Sequence, residues 1–286
     1  MAHWQAIKYM LFSVAAFTIM NASAKYLDGV SASQIVFFRS LGSFVLCMGF
    51  LWRKKIPLFG NQPKLLITRA VTGTIAMVFF FSAVKEIPFG SAVSLRYLSP
   101  VFAAVFAIIL LKEYVSPLQW LCFLLALAGV LLLKGFDVRI NPAGLFFILA
   151  SALFSGLVYI LIRKIGTGDH PVVVVNYFMF FAMLIGALLS FSHWKTPHGS
   201  DLAIALSMGF FGWFGQVYMT KAYQLASVAV VAPLKYLEAV TALLVGWVWF
   251  GEGYTTVALI GIGLVIAGMM LTIWAPKEKT VKVKAH

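Results

Sequence analysis

Long apolar segments recur along the whole of this 286-residue chain. Each runs for about 17–25 residues, the length that an α-helix needs to cross the hydrocarbon core of a bilayer. Charged residues make up only 11% of the sequence, whereas a typical soluble domain contains about 25%. A soluble fold could not cover this much apolar surface. The sequence therefore predicts an all-α integral membrane protein.

Ten transmembrane helices are predicted from these segments. Several of their ends carry the chemistry of a helix start or a turn, as at Pro88, Asn141-Pro142 and His170-Pro171. The connections are short and leave no room for a soluble domain. The predicted spans cover about residues 8–25, 33–52, 66–84, 88–111, 117–134, 143–163, 172–192, 202–223, 227–250 and 255–274.

The distribution of lysine and arginine predicts the orientation, because cytoplasmic loops carry an excess of these residues. With the N-terminus in the cytoplasm, thirteen basic residues flank the spans inside and five outside. We therefore expect a multi-pass protein of the cell (inner or plasma) membrane with both termini in the cytoplasm. The inside set is Lys8, Arg53, Lys54, Lys55, Lys64, Arg69, Lys112, Arg163, Lys164, Lys277, Lys279, Lys282 and Lys284, and the outside set is Lys25, Lys85, Lys134, Arg139 and Lys195.

A shift of 139 residues aligns the second half of the chain with the first. Chance similarity between apolar helices would match Leu, Val and Ala, but here glycines and polar residues match as well. The identities include Gly73/Gly212, Ala83/Ala222, Tyr97/Tyr236, Val101/Val240, Glu113/Glu252 and Gly129/Gly268. Because each copy has five spans, an odd number, the second copy must be inverted in the membrane. We expect a first five-helix repeat at 1–137, a second, inverted five-helix repeat at 140–275 and a basic cytoplasmic tail at 276–286.

Each repeat places a basic residue and a tyrosine deep in an apolar span, namely Arg96-Tyr97 and Lys235-Tyr236. A charge at the centre of a membrane helix costs about 2.5–3.5 kcal/mol on insertion scales. Pro100 lies four residues after Arg96 and interrupts the helical hydrogen bonding there, so the helix should be weakened at the charge. In an inverted repeat, the two basic residues should face one cavity from opposite sides.

The stretches that end the two halves carry a family resemblance. The first reads Ala92 through Tyr97-Leu98-Ser99-Pro100-Val101-Phe102 to Leu111-Lys112-Glu113 and Gly129-Val130, and the second reads Tyr236-Leu237-Glu238 through Phe250-Gly251-Glu252 to Gly268. The chain resembles, over essentially its whole length, the EamA-type carriers of the drug/metabolite transporter superfamily. The resemblance implies a 5+5 inverted repeat, alternating access and a central cavity, but it leaves the substrate open. Glu238 departs from the pattern, because such carriers often have an uncharged residue there.

The charged residues deep inside the predicted spans are Arg39, Arg96, Lys235 and Glu238, with Lys221 nearer a helix end. Their excess of positive charge predicts a site for an anion or a carboxylate. Arg96 is the strongest candidate, because no acid lies near it in sequence and a guanidinium binds a carboxylate through two hydrogen bonds. Lys235 could instead pair with Glu238 on the same helix face. Arg39 could instead bond another helix or extend to the membrane surface.

Six uncharged residues complete the set of candidate substrate-binding residues. Each could equally pack between helices or form a hydrogen bond from one helix to another. They are Tyr97, Tyr236, Asn21, Tyr159, Gln216 and Trp213.

The function expected from these observations is secondary transport of small polar metabolites, anionic or zwitterionic, such as amino acids or organic acids. An exporter of cationic or lipophilic compounds that uses Glu238 as a proton site remains the alternative, followed by a non-catalytic membrane subunit or a lipid scramblase. The sequence lacks G-x-S-x-G, H-E-x-x-H and ATP-binding motifs, which argues against an enzyme and predicts that a gradient supplies the energy.

The expected partners are a small-molecule substrate and the lipid bilayer, with a homodimer left open. Nucleic acid is excluded despite a formal net charge of +13, because the basic residues punctuate apolar runs and form no continuous surface. Neither a cofactor nor a metal is indicated, since the two cysteines lie singly in apolar runs and no histidine lies deep in a span.

Overall fold

The computed structural model describes residues 2–27, 29–112, 116–118, 120–121, 124–125, 128–129, 132, 140–251, 253 and 255–274. All regular secondary structure in these residues is helical. The α-helices are α1 (Ala2–Tyr26), α2 (Ala32–Lys54), α3 (Pro63–Glu86), α4 (Phe89–Arg96), α5 (Ser99–Phe106), α6 (Pro142–Ile165), α7 (Pro171–Ser190), α8 (Ser200–Leu225), α9 (Val228–Val231), α10 (Leu237–Phe250) and α11 (Thr256–Trp274). A π-helix (Ala107–Leu111) follows α5, and a 3₁₀ segment (Ala232–Tyr236) joins α9 to α10.

Helices α1, α2, α3, α6, α7 and α8 are each long and apolar enough to cross a membrane, which makes six within the described residues. They coincide with six of the ten predicted spans. Half of the predicted span at 117–134 lies outside the described residues, and Glu113, Glu252 and the tail at 276–286 lie wholly outside them. The prediction of an all-helical, multi-pass membrane protein is confirmed at this level, and the count of ten helices stays a prediction.

Side chains and prolines set the starts of the long helices. Ser31 caps α2 by accepting a hydrogen bond from the Gln34 N–H at 3.3 Å. Asn141 caps α6 by accepting one from the Gly144 N–H at 2.6 Å. Pro142 and Pro171 are the first residues of α6 and α7, a position where a missing N–H costs no helical bond. Both predicted turn signals are therefore confirmed.

Two apolar stretches that are long enough to span a membrane are interrupted. In the first, α4 ends at Arg96 and α5 begins at Ser99, with Pro100 in its first turn. This confirms the predicted weakening of the helix at the charge. The second, predicted as one helix over 227–250, is corrected: the 3₁₀ segment that carries Lys235 divides it. Pro233 lies in this segment and has no N–H to continue an α-helix.

The boundaries of the helices repeat along the chain. Helices α1 to α4 of the first half correspond to α6 to α9 of the second. Four pairs of boundary residues are each 139 positions apart: Tyr26 and Ile165, Ala32 and Pro171, Glu86 and Leu225, and Phe89 and Val228.

The packing of the helices is reciprocal between the halves. Helix α1 packs against α8 as α3 packs against α6, and α2 packs against both α7 and α8 as α7 packs against both α2 and α3. Ser13 Oγ donates to the Gly215 carbonyl at 2.8 Å, and Ser151 Oγ donates to the Ala76 carbonyl at 2.8 Å. Ala76 and Gly215 are themselves 139 residues apart. The donors Ser13 and Ser151 are 138 residues apart, so each half builds a similar interhelical contact with its donor shifted by one position.

Glycines bring α2 and α8 into backbone contact. A Cβ atom added to Gly209 would lie 2.6 Å from the Gly42 Cα atom, and one added to Gly42 would lie 2.9 Å from the Gly209 Cα atom. Ser43 Oγ donates to the Gly209 carbonyl at 2.7 Å across the same crossing. Small residues allow this close approach, which in a membrane takes the place of hydrophobic driving force.

A hydrogen-bonded cluster ties the two halves together at one end of the bundle. The Asp169 carboxylate accepts from the Asn61 N–H at 2.5 Å and from the Gln62 N–H at 3.2 Å. Gln224 at the end of α8 donates to the Asp169 carbonyl at 2.9 Å. Because Asp169 is 3% exposed, the bonds from Asn61 and Gln62 satisfy a carboxylate that water reaches poorly.

Candidate functional site

A cavity of about 40 Å³ lies at the centre of the bundle. It has room for a few water molecules and is too small for a metabolite in this conformation. Its apolar lining includes Phe17, Met20, Phe80, Phe81, Phe178 and Met219. Its polar lining consists of Asn21, Arg39, Arg69, Arg96, Ser155, Tyr159, Gln216 and Lys235.

The two basic residues of the repeat, Arg96 and Lys235, both line this cavity. The Arg96 guanidinium carbon lies 4.1 Å from the centroid of the Phe80 ring. Lys235 Nζ lies 3.8 Å from the sulfur of Met219. Phe80 and Met219 are 139 residues apart, so the two cations also have equivalent neighbours. Arg96 is the last residue of α4, and Lys235 lies in the 3₁₀ segment. The two helix interruptions therefore place these charges at the cavity wall.

Lys235 is held by a carboxylate and by aromatic rings. Its Nζ lies 3.5 Å from Glu238 Oε2 and 4.8 Å from the centroid of the Phe17 ring. Asn21 donates to the other carboxylate oxygen, Glu238 Oε1, at 2.8 Å. The internal pair that the sequence left as one alternative for Lys235 is therefore present, with Asn21 of α1 as a third member.

Arg39 of α2 is 3% exposed and points into the bundle. It donates from Nη1 to the sulfur of Met77 on α3. Its guanidinium carbon lies 5.8 Å from the centroid of the Phe81 ring. The positive charges of Arg96 and Arg69 lie close enough to repel it. The side chain does not extend to the membrane surface, so that alternative is excluded.

Arg69 of α3 is a site residue that the sequence reasoning missed. The orientation prediction places it in the cytoplasmic set of basic residues, but its side chain is 0% exposed. Its Nη2 donates to Gln216 Oε1 at 3.0 Å, and its guanidinium carbon lies 4.2 Å from the centroid of the Phe178 ring. Arg69 turns inward because α7 and α8 offer it an amide acceptor and an aromatic face. Its place inside the predicted span 66–84 was the signal available in the sequence.

Two repeat-related glycines make room for the arginines. A Cβ atom on Gly73 would lie 3.1 Å from Arg69 Nη1, and one on Gly212 would lie 2.9 Å from Arg39 Nε. Gly73 and Gly212 are one of the identical pairs at the 139-residue offset. Glycines of this bundle therefore make room for side chains in the cavity as well as for the close approach of helices.

The remaining candidates divide into those at the cavity and those away from it. Asn21, Gln216 and Tyr159 line it. Tyr97 is buried but does not line it. Trp213 also lies away from the lining, with its ring centroid 6.1 Å from that of Phe50. The side chain of Tyr236 lies outside the described part of the structure.

Tyr159 connects the cavity to both halves. Its hydroxyl lies 3.5 Å from Ser99 Oγ at the start of α5. Its ring stacks on that of Tyr223, with the centroids 4.7 Å apart. Lys235 Nζ also lies 5.7 Å from the centroid of the Tyr159 ring.

Arg39, Arg69, Arg96 and Lys235 form what we call the cationic cluster. Among the described residues, Glu238 is the carboxylate that forms an ion pair with this cluster, through Lys235. Within those same residues, Arg39 Nε, Arg69 Nε and Arg69 Nη1 are buried and have no hydrogen-bond partner. Donors of this kind in a low-dielectric interior favour an anionic ligand.

A sequence model of the EamA-like transporter family matches residues 4–134 and again residues 142–274. This chain belongs to the EamA-like transporter family. The two matches correspond to the two halves whose helix boundaries repeat. Membership confirms the resemblance read from the sequence, and it identifies a membrane transporter with a two-repeat fold.

The chain is similar over most of its length to several named transporters. It is 27% identical to the pseudopaline exporter CntI of Pseudomonas aeruginosa, over 87% of this chain and 89% of that protein. It is 26% identical to solute carrier family 35 member G1 of Homo sapiens, over 95% and 80% of the two chains. It is 22% identical to the S-adenosylmethionine uptake transporter of Rickettsia felis, over 95% and 93%.

A solved crystal structure shares the fold. Its chain superposes with a TM-score of 0.75 at 18% sequence identity, covering 94% of this chain and 96% of that one. The shared fold therefore extends over nearly the whole length of both chains.

Proposed function

We propose that this protein is a secondary transporter of small anionic or zwitterionic metabolites, such as organic acids or amino acids, with the cationic cluster as its substrate site. The observation that carries the proposal is the pair of arginines, Arg39 and Arg69, buried with unpaired N–H groups in a cavity shared with Arg96 and Lys235. Uncompensated buried charge costs several kcal/mol per ion. A substrate carboxylate or phosphate supplies the missing partner.

The residues of the site take different roles in this proposal. Arg96 is the fixed anchor, since no carboxylate of the described residues lies within ion-pair distance of it. Lys235 is held by Glu238 when no substrate is bound and exchanges to the substrate when it binds. Arg39 and Gln216 adjoin the substrate, whereas Asn21 holds the Glu238 carboxylate in place.

Alternating access supplies the transport mechanism in the proposal. The units are the repeats at 1–137 and 140–275, with the second inverted in the membrane and each contributing five helices. The cavity of about 40 Å³ must widen for a metabolite to enter. Rocking one repeat against the other would open the site to each side in turn. The sequence contains no ATP-binding motif, so we propose that a gradient supplies the energy.

We propose that both termini are cytoplasmic. Without Arg69, which is buried, twelve basic flanking residues remain inside against five outside. In a variant with Cys47 and Cys122 replaced by serine, an added Ala285→Cys should resist a membrane-impermeant maleimide on intact cells and react after permeabilisation. Rapid labelling of intact cells would show that the tail is outside and that the orientation is reversed.

Export of cationic or lipophilic compounds, with Glu238 as the proton site, is the second candidate. Glu238 is the interior carboxylate on which it depends, and both of its oxygens are engaged, by Lys235 and by Asn21. One relative is named an exporter and another an uptake transporter, so the direction of transport does not follow from the family.

Uptake into proteoliposomes tests the proposed function. Purified protein should concentrate radiolabelled organic acids or amino acids above the level of protein-free liposomes, and should exclude cationic dyes. The physical reason is the excess of positive charge in the cavity, which attracts anions and repels cations. Dye transport without transport of any acid would establish the second candidate instead.

A further inference from the structure

The charge count of the cavity points to a more specific substrate. We infer that the transported compound carries at least two negative charges, as a dicarboxylate or a phosphate ester does. This inference rests on the proposed function and narrows its substrate class. It follows from the number of cations, from the engagement of Glu238 and from the positions of the unpaired donors.

The first step is the balance of charge. The cationic cluster contributes four positive charges to one cavity, and Glu238 offsets one of them. Arginine side chains keep their charge in proteins. A substrate with a single carboxylate would leave two cations uncompensated in a region from which water is largely excluded, whereas a dianion would leave one. Electrostatic energy in such a region therefore favours the dianion.

The second step concerns zwitterions. The ammonium group of an amino acid would need a carboxylate or an aromatic face. The Glu238 carboxylate is already bonded to Lys235 and Asn21. Each aromatic ring of the cavity lining already lies near a cation of the protein. Phe80 faces Arg96, Phe178 faces Arg69, Phe81 faces Arg39, and both Phe17 and Tyr159 face Lys235. An ammonium group would thus enter a cluster of like charges without an available partner.

The third step is where the donors lie. The cluster draws on α2, α3, α4 and the 3₁₀ segment, so its four charges reach the cavity from four separate elements. Helices α2 and α3 contribute the unpaired donors, which are Nε of Arg39 and both Nε and Nη1 of Arg69. Arg96 and Lys235 offer a second pair of cations from the interrupted segments. Two anionic groups can therefore be bound at once, and guanidinium groups accept carboxylate and phosphate alike.

Matched four-carbon compounds test this inference in proteoliposomes. Succinate has two carboxylates, succinamate has one, and γ-aminobutyrate has a positively charged aminomethyl group in place of the second carboxylate. We expect succinate to enter at least about tenfold faster than succinamate at equal subsaturating concentration, corresponding to the binding of one additional charge. γ-Aminobutyrate should enter more slowly still. Glycerol 3-phosphate in the same assay shows whether the second charge must be a carboxylate or can belong to a phosphate.

Variants of Arg69 separate a charge effect from a folding effect. Arg69→Gln should bring the succinate-to-succinamate ratio toward one, and Arg69→Lys, which keeps the charge, should retain the preference. The ratio within one preparation does not depend on how much protein is folded. Lys221→Gln is the control, because Lys221 lies over the rings of Tyr9 and Tyr218 and does not line the cavity.

Two other outcomes would overturn the inference in distinguishable ways. If succinamate or γ-aminobutyrate enters as fast as succinate, the requirement for two charges is wrong while anion or zwitterion transport stands. If none of these compounds nor any other acid enters, the proposed function and the inference both fall. An unchanged succinate preference in Arg69→Gln would show that the charge of Arg69 does not contribute to selection of the dianion.

Discussion

Uptake of the substrate should be lost when Arg96 is replaced by glutamine, while the protein still inserts in the membrane and folds. Arg96 lines the cavity and has an aromatic ring, that of Phe80, as its close neighbour in the described structure. Glutamine keeps much of the length of the side chain and removes the charge. In the proposed function Arg96 pairs with an anionic group of the bound substrate. Truncating one partner of such a charge pair costs about 2–5 kcal/mol, so the transport rate at low substrate should fall at least about 30-fold. Initial uptake rates, normalised to the amount of folded protein, measure this change.

Lys221→Gln is the matched control for this change. It removes a positive charge from α8, but Lys221 Nζ lies 5.4 Å from the ring centroid of Tyr9 and 5.1 Å from that of Tyr218, away from the cavity. Its transport should stay within about twofold of the parent protein, because partly exposed charges far from a ligand contribute little to binding. Normal transport by Arg96→Gln at matched expression would mean that Arg96 is structural and that the anion anchor lies elsewhere.

Alanine at Gly209 should weaken the whole bundle, and this is the largest stability effect that we expect from a single methyl group. Its Cβ would lie 2.6 Å from the Gly42 Cα atom and 3.1 Å from the Ser43 nitrogen, both of them backbone atoms that cannot rotate away. Helices α2 and α8 would have to separate. Overpacking of this kind costs about 1–3 kcal/mol. The melting temperature in detergent should therefore fall by several degrees.

Gly49→Ala provides the comparison for this experiment. Gly49 also lies in α2, and a Cβ atom added there has nothing within 4 Å. In a helix interior alanine is favoured over glycine by roughly 0.5–1 kcal/mol. The melting temperature of Gly49→Ala should therefore stay level or rise. A Gly209→Ala protein as stable as Gly49→Ala would show that α2 and α8 do not touch at this crossing.

Three features could be predicted from the sequence: that this is a membrane protein, that its two halves are related, and that the helix breaks at Arg96. Each depends on the chain itself and not on how its helices pack. Hydropathy over about 20 residues identifies a span whatever surrounds it. The offset of 139 residues compares the chain with itself and needs no coordinates. Pro100 interrupts the helix through its own ring and its missing N–H. These features could therefore be stated before any packing was known, although the inversion and the ten-helix count stay predictions.

Which side chains line the cavity depends on how the helices pack against one another. A basic residue a short way into a helix can extend to the membrane surface or turn inward, and the choice lies with its neighbours. Arg69 turns inward because Gln216 and Phe178, more than 100 positions away in sequence, face it in the fold. Trp213 shares α8 with Gln216, yet its ring packs near Phe50, away from the cavity. Sequence spacing alone could not distinguish these two outcomes.

The sequence by itself determined that two basic residues, Arg96 and Lys235, occupy equivalent places in two repeats. The tertiary structure alone decided that Arg39 and Arg69 join them in one cavity, and that Asn21 of α1 bonds the carboxylate paired with Lys235. Repeat position is a property of the chain and can be read along it. The charge inside a cavity is a sum over helices that are distant in sequence, so it is fixed only when those helices pack.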